Sequence, residues 1–142
     1  MIQKAEEDDI LRILEIEQDA ISPPWSHGGL LSEVYREDSF FALAVDAGTI
    51  LGFVILRLTG DDSELLQIAV SAANRRCGVA DLLMESALGW AHECVVGSIY
   101  LEVRKSNDAA VALYKKHGFE QVGVRRDYYT DPVEDALIFE YY

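Results

Sequence analysis

Residues 75–104 read RRCGVADLLMESALGWAHECVVGSIYLEVR, and two periodicities in this stretch decide the fold class. From Val79 the apolar or small positions Leu82, Leu83, Ser86, Ala87, Trp90, Ala91 and Cys94 keep to i, i+3, i+4, i+7 spacing. That pattern predicts a long helix with one stripe laid against a sheet. From Ser98 to Val103 the period changes to two, the mark of a strand: Ile99, Leu101 and Val103 share one face, and Tyr100, Glu102 and Arg104 the other. Glu102 interrupts an otherwise apolar strand. Between two covered faces it would be partly buried, which favours the neutral form and suits a general base, unless Arg104 pairs with it and holds it ionised.

Downstream, Asn107 to His117 predicts a helix stopped by Gly118, with strands over Glu120 to Arg126 and Ala136 to Tyr142. Upstream, Phe40 to Val45, Thr49 to Leu58 and Glu64 to Val70 predict three neighbouring antiparallel strands. Nearer the start, Ile10, Ile13, Leu14, Glu17, Ala20 and Ile21 follow helical spacing behind a cap at Asp8 or Asp9, and the helix stops at Ser22-Pro23-Pro24. Trp25 to Gly29 reads as a loop and Leu30 to Tyr35 as a short second helix. A meander followed by strand, helix, strand, helix, strand implies an α/β mixed sheet with helices on both faces.

The 142 residues, 50% apolar and 26% charged, are expected to form one domain over 1–142. Twelve Lys and Arg against 25 Asp and Glu give a net charge of -13, which repels phosphate backbones and attracts basic partners, so no direct nucleic-acid binding is expected. Cys77 and Cys94 lack metal-ligand spacing and His27, His92 and His117 are scattered, so no metal is expected. The start shows no basic segment followed by an apolar one, and no run of about 18 apolar residues occurs, so the expectation is no membrane and a cytoplasmic setting.

Arg75-Arg76-Cys77-Gly78-Val79-Ala80 lies where a strand gives way to the long helix. Small residues there let backbone approach an anion, and the free N–H groups and dipole of a first helical turn attract it. An ordinary helix start with solvated arginines has the same composition. The segment resembles the [QR]-x-x-G-x-[GA] acetyl-CoA motif of the GNAT superfamily, with Arg75, Gly78 and Ala80 at the defining positions. Further on, LEVRKSNDAAVALYKKHGF (101–119), then Arg125-Arg126, Tyr128-Tyr129 and Glu134-Asp135-Ala136, resembles the bacterial ribosomal-protein alanine N-acetyltransferases.

That resemblance implies a GNAT fold, a mostly antiparallel mixed sheet of about six or seven strands splayed between the fourth and fifth. It implies acetyl-CoA as co-substrate, held by Arg75, Arg76, Cys77, Gly78, Val79, Ala80 and Asp81, by the backbone of Ile68, Ala69 and Val70, and by Asn107. It also implies Glu102 as the base that deprotonates the amine and Tyr114 as the acid that protonates the departing thiolate, with Trp25 and Tyr128-Tyr129 in two loops flanking the acceptor. The implied acceptor is the N-terminal alanine of a basic small-subunit ribosomal protein. A small amine or lysine acceptor, or a non-catalytic acyl-CoA-binding domain, are the alternatives.

Read as residues alone, Asn107 and Tyr114 are two helical turns apart on one face, and Tyr114 could equally be a core aromatic with its hydroxyl at the rim. The chemistry favours an α-amine: with a pKa of about 7.7 to 8 it is roughly a fifth to a third neutral at pH 7.4, while lysine is about a thousandfold short. A phenol protonating an alkyl thiolate runs uphill by about 2 kcal/mol, so hydrogen bonding to the thiolate is the larger contribution expected of Tyr114. Cys77 has no nearby base to make it a nucleophile. His92 and His117 are expected at helix surfaces, and His27 in the Trp25 loop is a weaker candidate for touching substrate.

Overall fold

A computed structural model describes residues 1–21 and 24–142; Ser22 and Pro23, part of the expected helix stop, lie outside the described residues. Helix α1 (Ile10–Ala20) turns Ile10, Ile13, Ile16 and Glu17 inward. Asp9 holds its N-cap position, but the Asp9 carboxylate accepts from the Glu6 N–H (2.9 Å) rather than from the helix. Helix α2 spans His27–Val34, so the expected loop at 25–29 is shorter than its glycines suggested. The Ser26 hydroxyl accepts from the Gly29 N–H at 3.0 Å, and that cap offsets the low helix propensity of Gly28 and Gly29.

Strands β2 (Ser39–Asp46), β3 (Thr49–Thr59) and β4 (Asp62–Val70) form the expected antiparallel meander. The edge strand β1 (Ile2–Lys4) joins β2, and its three residues are too few for a period to show in the sequence. The remainder is α3 (Val79–Glu93), β5 (Ile99–Arg104), α4 (Asp108–Lys116), β6 (Glu120–Tyr129) and β7 (Glu134–Tyr141). The seven strands lie in the order β1-β2-β3-β4-β5-β7-β6, and only β4 and β5 run parallel.

Alternation along the central strands feeds two cores, one per face of the sheet. Ala42, Val54, Leu56, Leu65, Ile99, Leu101 and Val103 meet α3 and α4 on one side, and Phe41, Leu43, Phe53, Ile55 and Ala69 meet α1 and α2 on the other. The inward stripe of α3 is Val79, Leu83, Met84, Ala87 and Ala91. It is rotated from the predicted one, leaving Leu82 and Cys94 exposed, because Met84 rather than Leu82 points at the sheet. No helix among the described residues is long and apolar enough to cross a membrane.

A bulge in β4 shapes the centre of the molecule. Leu56 pairs with Leu65 and Ile55 with Gln67, so Leu66 is an extra residue. The insertion reverses the alternation: Leu65 packs in the α3 core, while Gln67 reaches the α1 side. Pairing between β4 and β5 is confined to Ser63 with Ile99 and Glu64 with Tyr100. Beyond those residues the two strands diverge, as a bulged and more strongly twisted strand must from a regular neighbour.

At the far end of α3's first turn, Asp81 meets α4. The His117 ring nitrogen Nε2 lies 2.7 Å from Asp81 Oδ1 and the Lys116 ammonium donates to Oδ2 at 3.0 Å. His117, expected at a helix surface, is thus mostly covered, its side chain only 10% exposed. These hydrogen bonds, His117's first, hold the Asp81 carboxyl below the usual carboxylate range. A depressed carboxylate stabilises the fold above its unfolded pKa and loses that contribution as pH falls through the folded one. Asp81→Asn is therefore expected to lower Tm at pH 7, with the gap to wild type narrowing as pH falls below the ordinary aspartate pKa of about 3.9, as followed by thermal unfolding across pH.

Candidate active site

The wedge between β4 and β5 leaves two backbone edges without strand partners. The Ser71 N–H bonds to the Leu51 carbonyl (2.8 Å), which fixes the phase of the antiparallel ladder with β3. Ala69 then turns its N–H and C=O to β3, while Ile68 and Val70 turn theirs to the open edge. Of the three residues expected to pair with an extended ligand, two present backbone and Ala69 lies between them. The Val70 carbonyl already accepts from Arg75 Nε at 3.2 Å.

The wedge opens toward the start of α3. Gly78 is the N-cap in the left-handed region (φ 80), with no side-chain cap, and the first intrahelical bond at this end runs from Leu82 N to Gly78 O at 3.1 Å. The N–H groups of Val79, Ala80 and Asp81 therefore have no acceptor within the helix. Glycine is required here because a Cβ is strained at positive φ; the space around Gly78 is otherwise open. Arg76 and Cys77 are exposed beside it. Arg75 is committed elsewhere: its guanidinium donates to Asp19 at 3.0 Å, tying the turn to α1. Uncapped N–H donors, a helix dipole and a neighbouring guanidinium fit a diphosphate. Asp81 can offer its backbone N–H there, its carboxylate being engaged by α4.

Asn107 is the N-cap of α4 rather than a residue within it, its side-chain oxygen accepting from the Ala110 N–H at 3.2 Å. Its amide nitrogen is the group left for a ligand. Tyr114 is 7% exposed and its ring packs against Phe119 and Phe139 at 5.8 and 6.2 Å. Burial, with the nearby Tyr129 a lesser cause, raises its pKa far above an ordinary phenol.

On the other face of β5, Glu102 stands in the wedge with its side chain 21% exposed. Its cation is Arg125 of β6, Nε to Oε1 at 3.3 Å, and Oε2 is buried without a partner among the described residues. Arg104, which the sequence left open as a partner of Glu102, pairs with Glu134 at 3.3 Å, donates to the carbonyls of Pro132 and Thr130, and lies 4.5 Å over the Tyr129 ring. Arg125 pairs with Ala136 of β7, which pairs with Arg104 of β5, so the three share one face and Arg125 reaches Glu102 across the small Ala136.

Tyr128 and Tyr129 belong to the end of β6, not to a loop. The rings meet edge to face at 5.1 Å, and Tyr128 is half exposed. Glu102's charge is the first cause that raises the Tyr128 pKa, whereas Tyr129 is pushed up to about 12 mainly by burial and then by Glu102. Both phenols therefore stay neutral beside the carboxylate, and Tyr128 is the one in hydrogen-bonding contact with it. Trp25 is half-buried on the same side, packed against the α1 core. His27 lies exposed in the first turn of α2.

Sequence reasoning had assigned no function to Arg125, Gln67 or Glu17. The last carried a readable signal, a carboxylate within the apolar stripe of α1.

A bulged strand splayed from its parallel neighbour, with an uncapped helix start at the mouth and a carboxylate between, is the architecture of an acyl-CoA-dependent transferase. The chain belongs to the acetyltransferase (GNAT) family, whose model matches residues 10–119. Within it, the chain is similar to enzymes that modify ribosomal protein. It is 35% identical to the ribosomal protein bS18-alanine N-acetyltransferase of Escherichia coli, covering 96% of this chain and 93% of that protein. It is 34% identical to the enzyme of the same name from Haemophilus influenzae, covering 100% and 98%. The crystal structure of the Escherichia coli ribosomal-protein alanine N-acetyltransferase superposes with a TM-score of 0.90 at 34% identity, covering 99% of this chain and 92% of that one.

Proposed function

We propose that the chain transfers acetyl from acetyl-CoA to the α-amine of a protein N-terminus, alanine of a small-subunit ribosomal protein, in a cytoplasmic setting and with residues 1–142 acting as one catalytic domain. The observation that carries this reading is the position of Glu102. It sits at the open edge of β5 among Arg125, Tyr128 and Tyr129, one oxygen unpaired, across the wedge from the free backbone of β4. The names of the bS18-modifying relatives point to the acceptor, and a net charge of -13 favours a basic one over nucleic acid.

In this reading the N–H groups of Val79, Ala80 and Asp81, together with Gly78, Arg76 and Cys77, bind the diphosphate, with Arg75 bracing the turn against α1. Ile68 and Val70 pair with the pantetheine arm, Ala69 holding them in phase, and their N–H groups polarise the acetyl carbonyl. The Asn107 amide binds acetyl-CoA from α4. Trp25, Tyr128 and Tyr129 line the acceptor. When bound, acetyl-CoA supplies an activated acyl group and a thiolate leaving group. Glu102 takes the proton from the attacking amine, and an α-amine, partly neutral at pH 7, needs only the modest help one carboxylate gives.

Tyr114 donates a hydrogen bond toward the departing sulfur. Its raised pKa makes full proton transfer less favourable still, so Tyr114→Phe is expected to lower kcat about tenfold with KM for both substrates little changed. A variant that keeps more than half of wild-type kcat removes Tyr114 from the mechanism. Mass spectrometry of bS18 after incubation with enzyme and acetyl-CoA tests the whole proposal. A gain of one acetyl group on the N-terminal alanine supports it, and modification of lysines or free polyamines alone refutes it.

A further inference from the structure

Glu17 is 0% exposed in the inward stripe of α1, where a leucine would pack as well. Its Oε1 accepts two hydrogen bonds, from the Trp25 N–H at 2.8 Å and from Gln67 Nε2 at 2.7 Å. Among the described residues Oε2 has no partner, and neither has the buried Oε1 of Gln67. Burying a carboxyl in this way is costly, and helix packing alone does not call for it.

The two donors explain the position. Trp25 is the proposed acceptor wall on the α1 to α2 connection, and Gln67 follows the extra residue of the β4 bulge, immediately before Ile68 at the open edge. One buried oxygen joins the wall that faces the acceptor to the strand that faces the acyl group. We infer that Glu17 is a positioning residue for the acceptor, fixing Trp25 at a set spacing from the bulged strand and so restricting which first residue of a peptide fits. This rests on the proposed N-terminal acetyltransferase reading and adds a determinant of its specificity. Burial raises the Glu17 pKa against the lowering effect of the two hydrogen bonds, consistent with a group held for its acceptor oxygen rather than for its charge.

Steady-state kinetics with peptides beginning in Ala and in Met tests the inference on wild type, Glu17→Ala, Glu17→Gln and Gln67→Ala. Glu17→Ala is expected to raise peptide KM about tenfold and narrow the preference for Ala over Met by a similar factor, with kcat and acetyl-CoA KM within about threefold. Glu17→Gln retains an acceptor oxygen and is expected to return peptide KM to within about twofold of wild type. Gln67→Ala, which cuts only the strand link, is expected to raise peptide KM about threefold, and decides the matter if Glu17→Ala does not fold. The inference is overturned by unchanged peptide KM in a folded Glu17→Ala, by a Glu17→Gln as impaired as Glu17→Ala, or by wild-type KM in Gln67→Ala. Should the wild type acetylate small amines and neither peptide, the acceptor reading itself fails, and this inference with it.

Discussion

Glu102→Gln is expected to lower kcat/KM for an alanine-initiated peptide about tenfold at pH 7, with most of the deficit recovered by about pH 9. The amide is isosteric and stays beside Arg125, so the change removes proton acceptance and charge while the packing of β5 is kept. The recovery follows from the substrate: an α-amine with a pKa near 8 ionises unaided as pH rises, so the base matters less there. A lysine acceptor, with a pKa near 10.4, is still only about 4% neutral at pH 9, so a large deficit would remain there. The pH dependence of the wild-type to variant ratio therefore reports both the role of Glu102 and the class of amine. A ratio near one at pH 7 would remove Glu102 from the chemistry.

The second large effect is expected at the helix start. Gly78→Val places a β-branched residue at φ 80, where L residues are strained by about 1 to 2 kcal/mol and β-branched ones more. The turn relieves the strain by rotating, which swings the N–H groups of Val79, Ala80 and Asp81 off the anion. Hydrogen bonds to a charged group contribute about 1.5 to 3 kcal/mol each, so loss of one or two corresponds to a CoA Kd weakened about a hundredfold. Tm should fall by about 3 to 6 °C from the backbone strain. Calorimetric titration with CoA checks the first figure and thermal unfolding the second. If Kd is unchanged while Tm falls, the diphosphate is bound elsewhere.

The cofactor side of the site was more legible in the sequence than the acceptor side. Gly78 and the helix behind it are read locally, because a helix period, its start and the glycine that caps it fall within a few consecutive residues. Glu102 is legible as a charge interrupting an apolar strand. Its cation is not: Arg125 reaches it from β6 across Ala136 of β7, and the nearer Arg104 is engaged by Glu134 and the carbonyls of residues 130 and 132. Tyr128 and Tyr129 read as loop residues because the left-handed backbone at Asp127 (φ 51), which carries β6 past its apparent end, leaves no mark on alternation.

By itself the sequence determined the element order from α1 onward, the two faces of β5 and the helix start at Gly78, since period, punctuation and residue type act over one or two turns of chain. Tertiary structure alone decided three things: the bulge that parts β4 from β5, the partner of Glu102, and the link from Glu17 to Trp25 and Gln67. Each depends on which distant segments share a sheet edge or a helix face. A single extra residue in β4 changes that pairing geometry while barely altering the local pattern.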